Sequence, residues 1–156
     1  MITANLGCPK YCEGLTCVDI HPLDDRVIKA NVFDWLSEQN ESVDTILTKN
    51  LLEHLPDPGA FLDLCHTALK EKGLIDLITD NAEFLPFYLP FYMTRTGIGA
   101  HSKDEYAMSK WCNETHHYVV FTKMHLRNLF GYAGFRMIRV KRIKFGARLE
   151  AIGEKV

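Results

Sequence analysis

Residues 43–81 carry three rhythms in succession. Two short β-rich runs, residues 43–49 and 74–79, flank a segment in which Phe61, Leu62, Cys65, Ala68 and Leu69 recur at three- and four-residue spacing. Asp57 stands where a carboxylate caps a helix start, Pro58 takes the first helical position, and Gly73 follows the Lys70-Glu71-Lys72 turn as a stop. The pattern predicts strand, amphipathic helix ending at Gly73, and strand. Such a βαβ unit implies that its two strands are parallel.

Elsewhere the pattern predicts strands over residues 2–6, 15–20 and 27–32 and a short helical turn over 33–38. Over residues 84–111 the rhythm breaks. Pro86 and Pro90 interrupt the aromatic run Phe84, Phe87, Tyr88, Phe91 and Tyr92, and Gly97 and Gly99 follow. This segment is expected to be either an insertion that closes over an acceptor or an aromatic stretch packed on the sheet. Thr122 is an expected N-cap for a helix carrying Met124, Leu126, Leu129 and Phe130 and stopping near Gly131 or Gly134. Residues 137–143 and 149–152 then predict a hairpin turning through 145–147.

Spacing sets a limit on the architecture. About eight residues separate the first two expected strands and about six the next two, whereas a helical crossover takes roughly a dozen or more. Thr3, Lys29, Thr45 and Asp76 also break the apolar runs at alternating positions, unlike strands covered on both faces. One sheet face should therefore lack local helices. Either the 84–111 segment or a second copy of the chain would cover it.

The chain has 156 residues, the length of one domain, 1–156. Its five cysteines, Cys8, Cys12, Cys17, Cys65 and Cys112, are an odd number in a chain that needs no disulfide scaffold, so reduced thiols and a cytoplasmic setting are expected. Neither a signal peptide nor a membrane span is read from the sequence. The net charge of −2 divides unevenly: residues 1–78 carry 6 − 13 = −7 and residues 79–156 carry 12 − 7 = +5. Arg136, Arg139, Lys141, Arg142, Lys144 and Arg148 hold the densest excess. They read either as a solvated edge that discourages strand pairing or as a surface for an anionic acceptor or nucleic acid.

Four fragments together resemble the class I S-adenosylmethionine (SAM) dependent methyltransferases, in particular their short "type 11" branch. These are Asn5-Leu6-Gly7-Cys8-Pro9, Cys17-Val18-Asp19-Ile20, Ala30-Asn31-Val32, and Asp44 followed by Leu52-Glu53-His54-Leu55. The resemblance covers residues 4–81 and, more loosely, 116–153. It implies an α/β, Rossmann-like sheet, mostly parallel with an antiparallel C-terminal strand, here in a minimal version lacking the helices of one face. It also implies that SAM, leaving as S-adenosylhomocysteine, is held by Asn5, Gly7, Cys8, Asp19, Ile20, Asn31, Val32 and Asn50. Gly7 would let backbone approach the cofactor. Asp19, at a strand end, would accept from ribose hydroxyls, Ile20 would wall the adenine, and Asn50 would meet the methionine portion. Two positions depart from the pattern: Pro9 replaces a second glycine, removing an N–H donor, and Asn31 stands where aspartate is commoner.

No catalytic residue is fixed by the sequence. His54, His116 and His117 are candidates for a base, since imidazole titrates near neutrality. No metal is expected: Cys8, Cys12 and Cys17 depart from the cysteine spacing of cluster-binding SAM enzymes, and Cys17 belongs to a strand. The expected activity is methyl transfer to a small-molecule or glycan hydroxyl. Protein or nucleic acid acceptors, and a SAM-binding module without catalysis, are the alternatives. A homodimer through the uncovered sheet face is the expected assembly.

Overall fold

The computed structural model describes residues 1–84 and 117–156. Seven strands form one sheet in the order β3-β2-β1-β4-β5-β7-β6. They are β1 Thr3–Leu6, β2 Thr16–Asp19, β3 Ile28–Lys29, β4 Val43–Lys49, β5 Leu69–Asp80, β6 Phe135–Ile143 and β7 Arg148–Lys155. Strands β1 to β5 pair in parallel, and β7 joins β5 and β6 in antiparallel fashion. This is the Rossmann-like arrangement expected, including its antiparallel C-terminal strand.

The parallel return from β1 to β2 is made by residues 7–15 alone, without a helix among them. Strand length explains how. A four-residue strand is about 13 Å long, a distance that nine extended residues can retrace.

Three helices are described: α1 Val32–Ser37, α2 Pro58–Ala68 and α3 Lys123–Tyr132. Their apolar sides meet one face of the sheet. Phe61, Leu62, Cys65, Leu126 and Phe130 pack with Ala4, Leu6, Ile46, Ile75, Leu77 and Ala151 in a single core. Cross-strand register puts Thr3, Thr45 and Leu74 in one row of the opposite face, and Asn5, Leu47, Asp76 and Ile152 in the next. None of these belongs to the core, so among the described residues one face lacks helical cover, as the alternation implied. Residues 85–111, where the acceptor segment is expected, lie outside the described residues.

Several expected boundaries move. Helix α2 begins as read, with the Asp57 side chain accepting from the Ala60 N–H at 2.9 Å, but it ends at Ala68 and not at Gly73. Leu69 is already extended because it pairs with Val43. Residues 70–73 then loop out before Leu74 pairs with Thr45, and Lys72, at φ 61°, makes the left-handed turn that a glycine stop would have supplied. The third strand is two residues, not six, because Asn31 leaves the strand to cap α1, its Oδ1 accepting from the Phe33 N–H at 2.9 Å.

The C-terminal half follows the expected plan. Thr122 Oγ1 accepts from the His125 N–H at 3.1 Å to open α3, and Gly134 turns the chain into β6 at φ +83°. The hairpin turns through Lys144–Gly146.

Candidate functional site

The carboxyl ends of β1, β2 and β4 converge on one cavity of about 290 Å3. Gly7, Asp19, Ile20, Asn31 and Val32 line it together with Leu51, His54, Leu55 and Tyr118. This edge is where open α/β sheets bind ligands, because backbone N–H groups and strand-end side chains all point there.

Each polar lining residue is held by local chemistry. Gly7 has φ +70°, and its N–H donates to Val18 O at 2.9 Å, tying the turn to β2. A Cβ on Gly7 would stand 3.1 Å from Leu51 Cδ1, so the turn lies close against Leu51. Asp19 Oδ1 accepts from the His21 N–H at 2.7 Å, which orients the carboxylate at the strand end. Asn31 gives its Oδ1 to the cap of α1 and keeps its amide hydrogens for another partner.

Five of the eight expected cofactor residues thus line one cavity. Asn5, Cys8 and Asn50 do not. Asn5 projects from β1 on the face without helices, and Cys8 faces Cys12. Asn50 closes β4 at φ 53°, with its N–H on Ile78 O and its Oδ1 buried without a hydrogen-bond partner among the described residues.

A polar network lies beside the cavity, built from residues far apart in sequence. Glu53 is 1% exposed; its Oε2 accepts from Thr79 Oγ1 at 2.7 Å and its carbonyl from the Tyr118 N–H at 2.8 Å. Burial pushes its carboxyl up to about 7. The His54 and His117 rings meet edge to face at 4.8 Å between centroids. His117 Nε2 lies 3.6 Å from Asp80 Oδ2, and Arg148 Nε lies 3.6 Å from Asp80 Oδ1. Burial raises the Asp80 carboxyl, with the nearby Arg148 and His54 opposing that shift. Of the three histidines expected as base candidates, two are brought together here. His116 lies outside the described residues. Thr79, Asp80 and Arg148 were not anticipated, although Asp80 ends β5 as Asp19 ends β2 and could have been found by the same rule.

The model of the family described as "Methyltransferase domain" matches residues 9–140. The chain belongs to that family. The ubiquinone biosynthesis O-methyltransferase of Xanthomonas euvesicatoria is similar, at 36% identity over 93 residues, 60% of this chain and 35% of that protein. The chain therefore spans about a third of the length of such curated relatives. Two solved structures share the methyltransferase fold. One is a SAM-dependent methyltransferase, possible histamine N-methyltransferase, of Thermotoga maritima, at TM-score 0.65 and 17% identity, covering 99% of this chain and 82% of that one. The other is the 1,6-didemethyltoxoflavin-N1-methyltransferase of Burkholderia thailandensis with bound 1,6-didemethyltoxoflavin and S-adenosylhomocysteine, at TM-score 0.65 and 16% identity, covering 99% and 71%. Fold and family are those of SAM-dependent methyltransferases.

Proposed function

We propose that this domain binds SAM in the cavity at the ends of β1, β2 and β4 and methylates a small-molecule hydroxyl. The observation that carries the reading is the convergence of Gly7, Asp19, Ile20, Asn31 and Val32 on one cavity that His54 also lines. The residues fit the cofactor. The second Asp19 oxygen suits a ribose hydroxyl, the Asn31 amide suits an adenine nitrogen, and Ile20, half exposed at the rim, offers the ring an apolar wall. SAM supplies, when bound, a methyl group on a sulfonium.

The chain's own part is alignment and proton transfer. His54 reaches the cavity, and His117 stands behind it against Asp80. A carboxylate oriented on one imidazole steadies the pair for accepting a hydroxyl proton. A hydroxyl acceptor is favoured further by the O-methyltransferase relative. Nucleic acid is disfavoured, because Arg136, Arg139, Lys141, Arg142 and Arg148 are ion-paired with Glu154, Glu150, Glu83 and Asp80. The free thiols suit a reducing, cytoplasmic compartment, and the sheet face without helices suits a homodimer.

Calorimetry with S-adenosylhomocysteine and labelled-SAM transfer across phenols, sugars and amines test the reading. Binding with transfer to a hydroxyl, lowered at least tenfold in His54→Ala with cofactor affinity kept, is the expected result. Binding without transfer to any acceptor would favour the non-catalytic alternative that Pro9 raises. No binding would remove the cofactor assignment.

A further inference from the structure

Beside the cavity, and not in it, three thiols converge. Cys8 follows the Gly7 turn, Cys12 sits in the loop, and Cys17 lies in β2. Their sulfurs all lie within 4.8 Å of one another, and Cys8 Sγ is 3.8 Å from Cys12 Sγ. All three are free thiols. A tetrahedral zinc ion with Zn–S of about 2.3 Å sets its sulfurs roughly 3.8 Å apart, so the Cys8–Cys12 separation already suits a shared ion.

We propose that Cys8, Cys12 and Cys17 form a three-thiolate site for one Zn2+ ion, its fourth position open to water or another external ligand. The balance is simple: three S–H groups release three protons, three Zn–S bonds form, and the site carries 2 − 3 = −1. No oxidant or reductant is involved.

Two further features support the site. Sequence spacing alone argues against a cluster, but the parallel pairing of β1 with β2 brings Cys17 back beside the turn that holds Cys8, a convergence no local spacing reveals. The loop is already shaped around the sulfurs: the Cys12 N–H points at Cys17 Sγ at 3.4 Å, and the Cys8 thiol donates to Lys10 O at 3.0 Å. The ion would fasten the loop to β2 two residues before Asp19 and immediately after Gly7. It would brace the cavity wall without entering the cavity.

Co2+ is the probe, because bonds to thiolates give intense charge-transfer absorption that oxygen and nitrogen ligands do not. Freshly reduced full-length protein should take up one equivalent with that absorption, and one equivalent of Zn2+ should displace it. Cys12→Ser, at a half-buried loop position, should keep the far-ultraviolet spectrum of the fold and lose at least tenfold in metal affinity. The variant with Cys8, Cys12 and Cys17 all changed to serine should lose the absorption, although Cys65 and Cys112 remain. Survival of the absorption in that variant would overturn the assignment. So would uptake without charge transfer, the signature of Glu53, His54 and His117, whose ligand atoms also cluster within 4.8 Å but include no sulfur. Recovery of a Cys8–Cys12 disulfide from reduced protein, with no metal uptake, would overturn it equally.

Discussion

At the scale of single residues the cavity depends on a few atoms. Asp19→Ala removes the carboxylate at the end of β2, and cofactor affinity should fall by roughly 1.5 to 3 kcal/mol, the range for a hydrogen bond to a charged group; calorimetry reads the loss. Gly7→Ala should destabilise the fold by about 1 to 2 kcal/mol, because a side chain at φ +70° is strained and its Cβ would crowd Leu51. Adding Leu51→Ala should relieve the crowding and leave the strain, so partial recovery of the melting temperature is expected. Glu53 ties pH to stability. Its carboxyl is held near 7 in the fold against an ordinary 4.5, so the folded chain binds the additional proton between those values. Stability from this group is therefore full below about 4.5 and declines as pH rises through about 7, by roughly 2 to 3 kcal/mol. Glu53→Gln keeps an acceptor for Thr79 Oγ1 and removes the titration. Urea midpoints at pH 5 and pH 8 should differ less in the variant than in the wild type; an equal difference would mean that Glu53 does not carry the effect.

At the scale of elements, local chemistry was legible and long-range pairing was not. The start of α2 could be read from Asp57 and Pro58, and that of α3 from Thr122, whose replacement by alanine should cost about 1 kcal/mol in denaturant unfolding. The end of α2 could not, because Leu69 is drawn into the sheet by Val43, a partner 26 residues away. Residues 27–32 look like a strand by composition, yet the capping oxygen of Asn31 turns the chain into α1 after two paired residues. Much the same division runs through the site. Gly7, Asp19 and Asn31 announce themselves in short motifs, each at the end of its own strand. Asp80 and Arg148 meet only because β7 returns to β5, His117 reaches them beside the Tyr118 N–H that donates to Glu53 O, and the thiols of Cys8 and Cys17 meet only because β2 returns to β1.

At the scale of the whole molecule, the sheet face without described helices bears Leu47, Ile78 and Ile152 among Thr3, Thr45 and Asp76. Two such faces about a two-fold axis would cover each other. Sedimentation equilibrium at micromolar concentration should give twice 17.9 kDa; a monomer would leave the cover of that face to the chain itself. The four-residue excursion after α2 bears on the molecule in another way. Lys72 is exposed and interrupts no ladder, since β4 resumes pairing at Leu74. The chain could therefore be divided there into two polypeptides, residues 1–72 with charge 6 − 12 = −6 and residues 73–156 with 12 − 8 = +4. The β4–β5 ladder and the common core would hold the halves together, and their opposite charges would speed their meeting at low ionic strength. A split pair of this kind would turn one polypeptide into an obligate heterodimer whose assembly slows as salt is added.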